Sequence, residues 1–301
     1  MSVFHVPVLA DTLVRLGRDA KRVVDGTLGD GGHAERFLSL GATVLGIDRD
    51  PAAIAQARQR LGGAGLRLLQ GDVFDPLVVA EIRAFRPQLV LLDLGVSSRQ
   101  LDQDDRGFTF RPGAPLDMRM GSTGPTAAER LNQADPKELA QWFRDYADEP
   151  RAGRLARIVE RRRANRPFRT SDDLVNAIRE ALGPRAGPGE FARLFQAVRI
   201  GVNRELEGLK GGLPRLRDAL EDGGIIAVIS YHSGEDRLVK HAFREWSRSC
   251  ICPPGLPACR CRGRSLGQVL TRRALVADEI EVVANPRARS ARLRAFQVKQ
   301  T

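Results

Sequence analysis

Cysteine is nearly absent from this chain. Its 301 residues hold four, all between positions 250 and 261, so no disulfide framework can brace the fold. Aromatic residues make up only 5%, too few for an extended platform on which nucleobases stack. No run of about 18 apolar residues occurs, so no transmembrane helix is expected. Residues 1–10 lack the basic-then-apolar layout of a signal peptide, which makes a cytoplasmic protein the expectation. Lysine is scarce too, standing only at positions 21, 137, 210, 240 and 299. Genomic base composition can explain arginine in place of lysine. It does not explain an excess of bases over acids.

That excess is large. Lys and Arg total 48 against 37 Asp and Glu, a net charge of +11 and a pI near 10.4. The balance favours a polyanionic partner, nucleic acid before membrane surface. Three tracts carry it. Residues 151–169 hold eight arginines and one acid, Glu160; residues 259–273 hold five arginines and no acid; residues 285–301 hold four arginines, Lys299 and no acid. Leu155, Ile158 and Val159 form an apolar stripe in the first tract, which would turn its arginines outward. The cysteines Cys250, Cys252, Cys259 and Cys261 form a C-x-C-x6-C-x-C cluster. Four such thiolates can hold a zinc ion, although the usual structural spacing is C-x2-C. The other reading is ordinary thiols in a loop rich in proline (Pro253, Pro254, Pro257), and no metal ligand is assigned from sequence.

Strand and helix signals alternate through the first hundred residues. Residues 23–25, 43–48, 66–69 and 89–94 read as strands; residues 34–40, 51–61 and 77–85 read as helices. Short loops between them imply parallel strands in a doubly wound sheet. The alternation then stops. A polar, glycine-containing loop at 104–110 comes first, and helices follow to about 204, with Thr126, Asp135 and Ser171 as starting signals and 191–200 as a further helix. A helix over 205–220, with a possible break at Gly211, Gly212 and Pro214, leads to a buried strand at 225–229. Late strands are expected at 269–276 and 292–298. The fold class is therefore α/β, a doubly wound sheet domain (1–105 and 205–301) interrupted by an all-helical domain (106–204).

The loop at residues 25–33 reads DGTLGDGGH between a strand and a helix. Its glycines let backbone approach a ligand, and the helix behind offers unpaired N–H groups. Asp48 ends the second strand, where an acid binds ribose hydroxyls. This pair alone does not separate a nicotinamide dinucleotide from S-adenosylmethionine (SAM). Three features favour SAM. Asp25, four residues before Gly29, can face its cationic amino-acid part; Asp72 and Phe74 end the third strand, where an adenine would lie; Asp93 ends the fourth, beside the methyl group.

With those residues in place, the chain resembles the ribosomal RNA small-subunit methyltransferase H family (RsmH, formerly MraW). The matching stretches are 5–9 (HVPVL), 25–33, 47–51 (IDRDP), 92–102 (LDLGVSSRQLD), 106–110 (RGFTF), 115–120 (PLDMRM), 195–200 (FQAVRI), 229–237 (ISYHSGEDR) and 285–291 (NPRARSA). They cover nearly the whole chain in order. The resemblance implies a Rossmann-like SAM-dependent methyltransferase sheet with a helical insertion for RNA recognition. It implies N4-methylation of a cytidine in the decoding region of 16S ribosomal RNA, with ribosomal RNA or the small subunit as partner and no membrane. Its cofactor residues carry over to Gly31, Gly32, His33, Asp48, Phe74, Asp93 and Gln100. Asp93 and His232 are the catalytic candidates, His232 as proton acceptor or phosphate ligand, or else a loop histidine held by Glu235 or Asp236. Ser97, Ser98, Phe108 and Phe110 are candidates to meet the target base, or to cap and pack their own loops. Departures are small: Asp30 stands where many members have Gly or Arg, Tyr231 replaces a usual Phe, and Gly234 replaces a usual Leu, which would loosen the loop after the fifth strand. The segment 188–190 is also atypical. Rival readings are a nicotinamide-dependent oxidoreductase on the same fold and a non-catalytic RNA-binding assembly factor.

Overall fold

The computed structural model describes residues 7–253 and 260–300, apart from the Ser98 side chain. His5, Val6 and Cys259 lie outside the described residues. The chain divides into two compact units, Met1–Gly95 with Leu206–Thr301, and Val96–Glu205. The first junction thus falls at residue 95, ahead of the boundary expected at 105.

In the first unit, five strands run parallel: β1 (Arg22–Asp25), β2 (Thr43–Asp48), β3 (Leu66–Gln70), β4 (Leu89–Asp93) and β5 (Ile225–Ser230). Two more, β6 (Gly267–Val269) and β7 (Arg292–Val298), close one edge antiparallel, in the order β3-β2-β1-β4-β5-β7-β6. Helices α1 (Ala10–Gly17), α2 (Gly32–Ser39), α3 (Pro51–Leu61), α4 (Pro76–Phe85), α11 (Glu205–Arg217), α12 (Ser233–Ser247) and α13 (Glu279–Ala284) complete the unit. Alternate strand residues enter different cores. Val23, Val44, Leu89 and Leu91 meet α1 and α2, while Val24, Leu45, Val90 and Leu92 meet α4, α11 and α12. The sheet is therefore covered on both faces, as a doubly wound fold requires. This explains the unbroken apolar run of β4. It lies between β1 and β5, and Leu89, Val90, Leu91 and Leu92 are each 0% exposed. Each such side chain contributes about 1.5–3 kcal/mol by leaving water.

Two helices of this unit start on the same two-residue signal. Asp50 accepts the Ala52 N–H ahead of Pro51, and Asp75 accepts the Leu77 N–H ahead of Pro76. The aspartate satisfies an orphan donor, and proline at the first helical position has none to lose. The expected strand at 269–276 is shorter than its signal. The ladder ends at Val269, and Leu275 makes one isolated bridge to Leu293. The intervening segment is longer than the stretch of β7 it faces, so it bulges, and the Thr271 hydroxyl takes the Ala295 N–H. The expected break in α11 is absent too; Pro214 lies inside the helix.

The second unit holds α5 (Ser98–Asp102), α6 (Ala127–Gln133), α7 (Pro136–Asp145), α8 (Ala152–Asn165), α9 (Ser171–Leu182) and α10 (Pro188–Asn203). Thr126 and Glu129 form a capping box on α6, and Asp135 caps α7 ahead of Pro136. On α9 the cap is Thr170, one residue before the expected Ser171. Leu139, Phe143, Leu155, Val159, Phe168, Ile178, Leu194 and Val198 pack a separate apolar core.

Candidate active site

Parallel strands deliver their carboxyl ends to one edge of a sheet. Here three of those ends are carboxylates: Asp25 on β1, Asp48 on β2 and Asp93 on β4. The loop from β1 to α2 folds over this edge by its own backbone. Gly26 N–H donates to Leu91 O, Leu28 N–H to Ile47 O, and Gly29 N–H to Asp48 Oδ2 at 2.8 Å. Gly31 takes φ +78°, and a Cβ there would lie 2.5 Å from Leu61, so any other residue would be strained. Gly31 stands at the N-cap of α2 with no side-chain acceptor, and Gly32 opens the helix.

His33 lies buried in the first turn of α2, its Nε2 3.5 Å from Asp93 Oδ2. That separation is an ion-pair contact rather than a hydrogen bond. Asp93 Oδ1 accepts the Tyr231 hydroxyl at 2.8 Å, and Asp93 N–H donates to Thr27 Oγ1 at 2.6 Å. Asp25 is 1% exposed and accepts the Thr27 N–H at 3.3 Å. Its Oδ2 and the His33 Nε2 have no hydrogen-bond partner among the described residues.

Burial sets the electrostatics. It pushes the Asp25 carboxyl up to about 6, against the pull of His33 and the Thr27 N–H. Asp48 is also raised by burial, opposed by the Asp50 and Gly29 N–H groups. For His33, burial disfavours the charged ring, but Asp93 and Asp25 outweigh it and hold the imidazole above its usual value. Burial and the neighbouring Asp93 keep the Tyr231 phenol protonated, so it remains a donor. The result is a buried, acid-rich sheet edge suited to a cation.

Phe74 follows β3. Its N–H donates to Asp72 Oδ1, and its ring rests on α11, where a Cβ at Gly212 would lie 2.2 Å away. Gly212 is thus a packing glycine, not a helix break. Beside it, Arg49 pairs with Asp72 at 2.7 Å.

Gln100 belongs to the second unit, where its side chain is hydrogen-bonded. Its Oε1 accepts Ser97 N–H in a capping box on α5, and its Nε2 donates to Met120 O. The Ser97 hydroxyl accepts Gln100 N–H, so it caps its helix. Phe110 packs edge-on against Phe191 and Phe195, and Phe108 joins the same core, so both are packing residues.

His232 is the N-cap of α12. Its Nδ1 accepts Gly234 N–H at 3.2 Å, and its Nε2 lies 3.2 Å from Glu235 Oε1. Gly234 therefore sits in a capped first helical turn, not in a loosened loop. Glu235, buried at 2% exposure, also accepts the Tyr231 N–H at 2.9 Å. The sequence names Tyr231 only as a departure and Glu235 only as a holder of His232; the structure also ties Tyr231 to Asp93. The Tyr231–Asp93 bond joins residues 138 apart and leaves no local trace. The Glu three residues after His232 was a readable capping signal.

Beside Tyr231 and His232 a cavity of about 490 Å³ is lined by Arg237, Lys240, His241, Arg289 and Arg292, with Asp236 the acid among them. Asp236 is already neutralised by a buried bidentate pair with Arg294, at 2.6 and 3.1 Å. The cavity therefore presents mainly positive charge. Not every arginine is so placed. Arg161 and Arg162 hold Glu180, Arg163 donates to Leu131 O and Ala134 O, and Arg151 donates to Leu182 O.

Comparison with known proteins bears on this geometry. The model of the MraW methylase family matches residues 2–299. A protein of Gemmatimonas aurantiaca named ribosomal RNA small subunit methyltransferase H is 54% identical over 299 residues, covering 98% of this chain and 95% of its own. Proteins of the same name from Syntrophotalea carbinolica (46% identity; 91% and 90% coverage) and Heliobacterium modesticaldum (43%; 99% of each chain) are also similar. Over nearly its full length, the chain belongs to the MraW methylase family.

Proposed function

We propose that the protein methylates small-subunit ribosomal RNA with S-adenosylmethionine as donor, at the exocyclic N4 of a cytidine in the decoding region of 16S rRNA. The observation that carries this reading is the set of strand-end carboxylates at one sheet edge, with Asp25 and Asp93 beside His33 and Asp48 near Asp25. A cationic nucleoside fits that chemistry, whereas an anionic pyrophosphate would face repulsion. The names of the relatives supply the RNA, and the basic cavity beside Tyr231 suits its phosphates.

The residues present fit the donor. Asp25 Oδ2 is a buried acceptor with no hydrogen-bond partner among the described residues, and an ammonium group would satisfy it. S-adenosylmethionine supplies an electrophilic methyl group on a sulfonium centre. Asp93 and Asp25 bind the amino-acid end, with Gly31, Gly32 and His33 closing over it. Asp48 retains lone pairs for ribose hydroxyls beyond the two N–H groups it already accepts. Phe74, backed by α11, covers the adenine. Gln100 enters only if its capping box opens, so it is assigned to shaping α5.

The cytosine amine is a poor nucleophile because its lone pair is delocalised. Positioning it in line with the methyl group is the main service the protein can provide. The target base must first leave its stack. His232 is assigned as a positioning residue. Its Nδ1 lone pair is occupied by Gly234 N–H, and through Glu235 it steadies Tyr231 against Asp93. A strong base is unnecessary, since the methylated ammonium is very acidic, and Asp93 or solvent can take the proton. The test is incubation of labelled SAM with small-subunit RNA. Label in RNA supports the reading; hydride transfer from a nicotinamide cofactor, or RNA binding without label, would replace it with one of the rivals.

A further inference from the structure

We infer that Cys250, Cys252 and Cys261 form a structural site for a zinc-class divalent ion, on the connection between α12 and β6. Among the described residues, this connection holds no helix or strand, and it has little apolar support, with Ile251 39% exposed. Such a segment has no evident reason to gather thiols, yet the three sulfur atoms lie within 4.8 Å of one another. Cys259 lies outside the described residues.

The spacing discriminates between two chemistries. Cys250 Sγ and Cys261 Sγ are 3.9 Å apart. A disulfide requires about 2.05 Å. Two thiolates on one tetrahedral zinc, each about 2.3 Å from the metal, stand about 3.8 Å apart. The observed separation excludes a disulfide and suits either a thiol–thiol hydrogen bond or two sulfurs on one metal ion.

A second observation is independent of the spacing. The two arms that carry the cysteines are tied reciprocally by backbone donors to sulfur. Ile251 N–H, on the first arm, points to Cys261 Sγ at 3.3 Å; Arg260 N–H, on the second, points to Cys252 Sγ at 3.3 Å. A thiolate accepts such bonds better than a thiol, and they offset the charge that several sulfur ligands bring to a divalent ion. Arg262 anchors the second arm, donating to Glu245 O and to Arg248 O, at the end of α12. Soft sulfur donors select zinc over magnesium or calcium. Binding releases one proton from each thiol that becomes a ligand, so acid should strip the metal. The ion would take the place of an apolar core, fixing an otherwise unsupported arm.

The experiment uses the full-length protein, purified without a metal-binding tag and with a reductant present. Elemental analysis should find about one zinc per chain, retained on dialysis and released as a thiol-blocking mercurial is added. Cobalt(II) exchanged into the native protein should give tetrahedral d–d bands and a sulfur-to-cobalt charge-transfer band. A Cys250→Ser/Cys261→Ser variant should lose the metal while keeping SAM affinity, which shows that the sheet domain is intact. The inference is overturned by native protein that neither carries zinc nor binds added cobalt through sulfur. It is equally overturned by metal retained in full by the double variant, or by a mass two hydrogens lower that returns to the thiol value on reduction, the mark of a disulfide.

Discussion

Asp25 is held where a carboxylate is costly. Its rise to about 6 corresponds to about 3 kcal/mol against the ionised form. The folded state binds this proton more tightly than the unfolded chain does, so stability falls as pH rises from about 4 to 6, and the full penalty remains above that. Asp25→Asn should therefore raise the melting temperature at neutral pH, by roughly 5 °C. The same variant should bind SAM more weakly, because the penalty is the source of attraction for a cation. Wild-type affinity should fall as pH drops through about 6, and the variant should show a flatter profile by calorimetry. An unstabilised variant with unchanged affinity would remove Asp25 from the site. Asp93→Asn keeps an acceptor for Tyr231 but removes the charge; it should weaken SAM roughly 10- to 100-fold, the range for a charged hydrogen bond. These acids were legible because each ends a strand in an alternating pattern. Gln100 also carries a local role: its amide serves the cap of its own helix, an S-x-x-Q signal present in the stretch. Tyr231 was illegible because its partner is distant in sequence.

At the level of elements, α11 shows how a helix can serve a site it does not line with polar groups. Gly212 lets its backbone lie against Phe74, whereas nothing stands within 4 Å of a Cβ at Gly211. Gly212→Ala should force the ring aside, costing about 1–3 kcal/mol and weakening SAM binding. Gly211→Ala should instead be neutral or stabilising by up to about 1 kcal/mol, since alanine is the better helix former. Thermal melts of the two variants check the contrast; equal effects would mean that Phe74 does not depend on this contact. The Asp-Pro helix starts were readable because capping is a matter of neighbouring residues. The fate of residues 269–276 was not, because pairing length depends on the partner strand, and the partner is shorter than the run of β-forming residues.

On the scale of the whole molecule, the arginines behind the net charge of +11 divide into two groups. One group is paired with acids inside the fold, as in Arg294 with Asp236 and the α8 arginines with Glu180. Another group lines the cavity beside Tyr231, where Arg237 and Arg289 are exposed. Composition could announce a polyanionic partner but could not sort these roles, since each arginine's partner is set by the fold. Arg237→Ala and Arg289→Ala should each lower RNA affinity and reduce the slope of log affinity against log salt by about one, without changing SAM binding. The structure's units divide at residues 95 and 206, and the strand–helix alternation of the sequence stops near the first of these. The most direct measurement of the central claim is transfer of labelled methyl from SAM to 16S rRNA, followed by digestion to nucleosides and mass spectrometry. The account predicts one N4-methylated cytidine, with rate strongly reduced in Asp93→Asn. Label on a ribose, on a ring carbon or on no nucleoside at all would contradict it.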